Sequence, residues 1–69
     1  MRTVAKMVMN GTYTVMYDDK AKYNPYKVYQ HINGSRRIME KYADLSSAMV
    51  YLANIATVKE SYIRGEQGA

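Results

Sequence analysis

A chain of 69 residues without cysteine holds one domain at most and has no disulfide, thiolate metal site, cysteine nucleophile or redox switch. Ten basic residues against six acidic ones give a formal charge of +4, which favours anionic partners. No apolar run approaches the roughly 20 residues that cross a bilayer. Residues 1–9 carry Arg2 and Lys6 and no uninterrupted apolar core, so no signal peptide is read there and the expected location is cytoplasmic.

Taken in chain order, the first expected element is a hairpin of Thr3–Met9 and Thr12–Tyr17 joined by Asn10-Gly11. Asn-Gly tolerates positive φ at both positions, as a two-residue turn requires. Such a turn sets Met9 against Thr12, Met7 against Thr14 and Lys6 against Val15. The segment Asp18–Pro25 (DDKAKYNP) follows as a polar surface loop, with Pro25 holding Asn24 extended. Asp18 and Asp19 read as solvated turn residues rather than metal ligands. A second hairpin, Tyr26–Ile32 and Ser35–Tyr42, turns at Asn33-Gly34. Its expected register sets His31 against Arg36, Tyr29 against Ile38 and Lys27 against Glu40, a pair of opposite charges. Both Asn-Gly pairs also match glycosylation sequons and are read as turns. Neither hairpin has a cleanly apolar face, so the face that meets the rest of the protein stays open.

The clearest element is a helix. Asp44 is a good N-cap. Leu45, Ala48, Met49, Leu52, Ile55, Ala56, Lys59, Tyr62 and Ile63 then share one side at helical spacing, and Gly65 is the expected stop. The expected domain is therefore residues 1–64, with a frayed tail at 65–69. The fold class is α+β: an antiparallel sheet of two consecutive hairpins with one C-terminal helix packed on one face.

Catalytic chemistry finds no support in this pattern. His31 stands alone in mid-strand without a nucleophile or orienting group, and the chain has no phosphate-binding glycine loop and no metal-ligand spacing. The expectation is a non-enzymatic binding protein without cofactor or metal. Charge placement is the remaining signal. From Lys20 to Ala43 the chain carries Lys20, Lys22, Lys27, Arg36, Arg37 and Lys41 against a lone acid, Glu40, interleaved with Tyr23, Tyr26, Tyr29 and Tyr42. Cations meet phosphates and rings stack on bases or sugars, so this stretch suits a nucleic acid. Lys20, Lys22, Lys27, Arg36, Arg37 and Lys41 are the candidate phosphate contacts, with Tyr26 and Gln30 approaching bases or sugars. Two other readings stand beside it. One is a phage or mobile-element inhibitor or adaptor, for example an anti-defence protein, that binds a host protein through tyrosine anchors. The other is a homodimer joined through an exposed strand edge. The bland alternative is an edge strand whose positive charges discourage aggregation.

The runs Gly11-Thr12-Tyr13-Thr14-Val15, Gly34-Ser35-Arg36-Arg37 and Ala43-Asp44-Leu45-Ser46-Ser47-Ala48 with Leu52 resemble in pattern the arm-site DNA-binding domain of tyrosine-recombinase integrases. That resemblance implies a small antiparallel sheet before a capped helix, with DNA read by the exposed sheet face. The chain departs from the family in having no catalytic domain and an additional N-terminal strand.

Overall fold

The computed structural model describes the backbone of residues 1–9 and 11–68 and the side chains of residues 1–9 and 11–58. Four strands, β1 (Arg2–Val8), β2 (Thr12–Tyr17), β3 (Tyr26–Ile32) and β4 (Ser35–Tyr42), form one antiparallel sheet in the order β1-β2-β3-β4. A C-terminal helix, α1 (Leu45–Gly68), follows. This is the expected α+β architecture.

The second turn forms as its residues dictate. Asn33 and Gly34 take φ of 49° and 82°, and Ile32 pairs with Ser35. The first hairpin departs from the expected two-residue loop. Val8, not Met9, opposes Thr12, and Met7 opposes Tyr13. The one-residue shift sorts the side chains. It brings Met7 and Ala5 level with Tyr13 and Val15, and sets Lys6 against Thr14 on the other face. Gly11 accommodates the wider turn at φ 136°, and the Met9 N–H donates to the Gly11 carbonyl at 2.8 Å.

The register shifts by one residue on each outer strand. Between Thr3 and Ala5 the extra residue is Val4; opposite Tyr29 and Val28 it is Met39. Each shift is a β-bulge that turns an additional apolar side chain onto the core. The second bulge overturns part of the expected pairing. His31–Arg36 and Tyr29–Ile38 hold, but Lys27 opposes Lys41 instead of Glu40. The like charges are tolerated because Lys27 Nζ donates to Asp18 Oδ2 at 2.8 Å. In return Tyr42 comes level with Tyr26, and Met39 packs under the helix.

One sheet face is covered. Its middle row runs Ala5, Val15, Val28 and Glu40, and its lower row Arg2, Tyr17, Tyr26 and Tyr42. Tyr13, Val15 and Val28 are buried against Ala48 and Leu52 of α1, with Tyr51 and Ile55 packed alongside. Burying a Val or Leu side chain contributes about 1.5–3 kcal/mol each, which makes this small cluster the main support of the fold. Asp44 caps the helix as expected, its Oδ1 accepting the Ser47 N–H at 2.7 Å. The buried stripe is rotated from the expected one. Leu45 and Met49 are exposed, and Tyr51 turns inward instead, its ring 5.8 Å from that of Tyr42. The expected stripe positions Lys59, Tyr62 and Ile63 lie outside the described side chains. The helix does not stop at Gly65 but continues to Gly68. A glycine inside a helix costs about 1 kcal/mol against alanine, and the Glu66 and Gln67 that follow are good helix formers.

Candidate nucleic-acid interface

The other sheet face has no helix on it. Three rows cross it from β1 to β4: Val8, Thr12, His31, Arg36; then Lys6, Thr14, Tyr29, Ile38; then Thr3, Met16, Lys27, Lys41. Side-chain contacts tie these rows to a common surface. Thr14 Oγ1 and His31 Nε2 are hydrogen-bonded at 2.8 Å. Arg36 lies across the face, its Cζ 4.6 Å above the Tyr29 ring and its Nη1 3.0 Å from Met16 Sδ. The Tyr29 hydroxyl points to Met1 Sδ at 3.7 Å.

Electrostatically the face is one-signed. It carries Lys6, Lys27, Arg36 and Lys41. The single acid in the four strands, Glu40, is level with the buried Val28 and so belongs to the covered side. Asp18, at the end of β2, touches the face only through Lys27. Its carboxyl is held below the ordinary carboxylate range, first by the hydrogen bond from Lys27 and then by the Lys20 N–H. The same bond raises Lys27 above its ordinary value, so both groups are charged at neutral pH.

The structure divides the residues expected to bind. Lys27, Arg36 and Lys41 come together on the uncovered face. Lys20 and Lys22 lie in the β2–β3 connection and are exposed. Arg37, Gln30 and Tyr26 are on the helix side. There Arg37 Nη2 donates to Gln30 Oε1 at 3.2 Å, and Gln30 Nε2 donates to the Tyr13 hydroxyl at 3.3 Å. The Tyr26 ring lies 5.1 Å from that of Tyr17, tilted at 57°, and Arg2 covers Tyr17 from 5.1 Å. These are internal contacts of the covered face. Lys6 is the residue that sequence reasoning misses, because it lies outside the basic stretch from Lys20 to Ala43 and reaches this face only through the strand register.

Two surface depressions lie elsewhere. One, of about 190 Å³, is lined by Met1, Arg2, Tyr17 and Asp19. The other, of about 350 Å³, lies between the end of β4 and the start of α1, lined by Tyr42, Ser46, Ser47, Val50, Tyr51 and Asn54. Burial, with Glu40 and Tyr51 nearby, raises the Tyr42 phenol above its ordinary range, so it stays neutral. Among the described residues no three His, Cys, Asp or Glu side chains gather as a metal site, and no helix is long and apolar enough to cross a membrane. No protein-family model, curated protein or solved structure matches the chain.

Proposed function

We propose that the protein binds nucleic acid through its uncovered sheet face, as a non-enzymatic accessory protein. The observation that carries this reading is the sorting of charge by face. Four cations share one surface, and the single strand acid is on the other. Lys6, Arg36 and Lys41 neutralise backbone phosphates while Lys27 stays paired with Asp18, and Lys20 and Lys22 extend the contact from the neighbouring loop. Thr12 and His31 supply hydrogen-bonding groups between them. A rigid four-stranded sheet holds these groups at fixed spacing, so little ordering entropy is lost on binding.

The test is fluorescence anisotropy with labelled oligonucleotides. Lys6→Glu and Lys41→Glu, both on exposed positions, are expected to abolish measurable binding while leaving the circular dichroism spectrum unchanged. Arg37→Ala, on the covered side, is expected to bind as the parent does. Equal loss from all three changes would remove the sheet face from the reading.

A host-protein partner is favoured by one observation. Ile38 and Val8, 43% and 71% exposed, stand among the cations as apolar side chains. Under that reading Ile38→Asp disrupts binding more than either lysine reversal does.

A further inference from the structure

The cations of the uncovered face differ in what holds them, and that bears on how a phosphate is gripped; this rests on the reading above. Lys6 and Lys41 are exposed on the outer strands, and Lys27 is bonded to Asp18. Arg36 also starts from an outer strand, β4, but its guanidinium lies inward over β3 and β2. Its Cζ is 4.6 Å from the centre of the Tyr29 ring on β3, and its Nη1 donates to Met16 Sδ on β2 at 3.0 Å. Neither a phenol ring nor a thioether carries a negative charge, and among the described residues no carboxylate meets this guanidinium. The contacts therefore locate the cation without neutralising it.

The seat itself is fixed. Tyr29 is 9% exposed and stands between Thr14 of β2 and Ile38 of β4. Its hydroxyl reaches Met1 Sδ at 3.7 Å. Thr14 beside it is buried and bonded to His31 at 2.8 Å. A ring packed between two strands in this way has little room to change rotamer. Arg36 remains exposed on its outer side. A guanidinium is a planar fork of N–H donors, which grips a pair of phosphate oxygens as a lysine ammonium cannot. A surface arginine normally gives up its rotamer freedom when it makes that grip, at a cost in affinity. On this face the Tyr29 ring and Met16 have already taken that freedom away.

We infer that Arg36 is the anchoring phosphate contact of the face and that Tyr29, with Met16, is its positioning residue. The ring serves binding by holding the fork and not by stacking on a base. The test is a double-mutant cycle read by anisotropy over a range of salt concentrations. The probes are a labelled DNA duplex and one of its strands, and the cycle is run on whichever binds more tightly. Tyr29→Leu keeps every charge, so it is expected to lower affinity by about three- to tenfold with the salt slope unchanged. Tyr29→Phe keeps the ring and is expected to bind as the parent does. Arg36→Ala is expected to lower affinity and to make the slope shallower by about 0.9. In the Arg36→Ala background Tyr29→Leu is expected to have no further effect, because nothing is left to position. An equal loss from Tyr29→Leu with and without Arg36 would mark a purely structural ring and overturn the inference. Arg36→Lys, at an exposed position, decides the matter even where Tyr29→Leu does not fold. It keeps the charge and the slope but has no fork, so affinity is expected to fall by about the same factor. Arg36→Lys binding as tightly as the parent would overturn the inference and leave the nucleic-acid reading intact. A parent protein that binds neither probe at about 50 mM salt, where phosphate contacts are strong, would overturn the nucleic-acid reading and the inference with it.

Discussion

Asp18→Asn gives the sharpest test of the charge argument, because it frees a cation without adding one. In the parent, Lys27 Nζ is bonded to Asp18 Oδ2 at 2.8 Å, so its charge is already met. Asparagine keeps the oxygen that accepts the Lys20 N–H and removes the negative charge. Each phosphate neutralised contributes about −0.9 to the slope of log K against log salt. The three cations of the sheet face that no acid holds, Lys6, Arg36 and Lys41, contribute about −2.7 to the parental slope, with Lys20 and Lys22 of the loop left aside. From about 50 to 200 mM salt that is a loss of roughly 40-fold in affinity. Releasing Lys27 steepens the slope to about −3.6 and the loss to roughly 150-fold. Asp19→Asn is the control, since it changes net charge equally without touching the partner of Lys27. Anisotropy titrations at four salt concentrations measure all three slopes. A slope for Asp18→Asn equal to that of Asp19→Asn would refute the claim that Lys27 is held in reserve by its ion pair.

The other predictions concern the fold. Leu52→Ala empties a buried position under the sheet and is expected to cost about 2–5 kcal/mol in urea unfolding, a large part of the roughly 3–10 kcal/mol that a domain of this size possesses. Gly34→Ala meets no atom within 4 Å, but the residue sits at φ +82°, so backbone strain alone is expected to destabilise by about 1–2 kcal/mol. Asp44→Ala removes the acceptor of the Ser47 N–H and lowers the thermal midpoint, whereas Asp44→Asn, which keeps an acceptor, lowers it less. The carboxyls of Asp18 and Asp44 are both held below their ordinary value, Asp18 first by Lys27 and Asp44 by its hydrogen bonds with Ser47. Their stabilisation is therefore complete at neutral pH and is lost as the pH falls below about 4. Thermal melts between pH 7 and pH 3 should show the decline, and the Asp44→Ala protein should show a smaller one.

Local chemistry was readable in the sequence where one residue type decides the outcome. The Asn33-Gly34 turn, the loop before Pro25 and the Asp44 cap belong to that class. Three of the four expected strands, Thr12–Tyr17, Tyr26–Ile32 and Ser35–Tyr42, have the observed bounds, and the first differs by one residue at each end. Register was less accessible, because a bulge places two successive residues on one face and breaks the alternation from which faces are read. Val4-Ala5 and Met39-Glu40 each did this, and neither pair carries a glycine or proline to announce it. Lys6 lies outside the basic stretch from Lys20 to Ala43, so charge placement along the chain does not point to it. Register separates Arg37, Gln30 and Tyr26 from Lys27, Arg36 and Lys41, which the sequence alone groups together. Which tyrosines are free was equally hidden, since the sequence does not say that Arg36 will lie on Tyr29.

The two bulges also bear on how the molecule keeps to itself. Both fall on the outer strands, where unpaired backbone groups could otherwise accept a strand from another copy. A strand with an extra residue presents its N–H and C=O groups out of step, and a straight neighbour cannot match them along its whole length. Removing Met39 would straighten β4 and align those groups at the cost of one apolar side chain in the core. The residue that adds to the interior is thus also the one that spoils the template for fibre growth, and a chain shortened by that single position would have a cleaner edge and a greater tendency to stack.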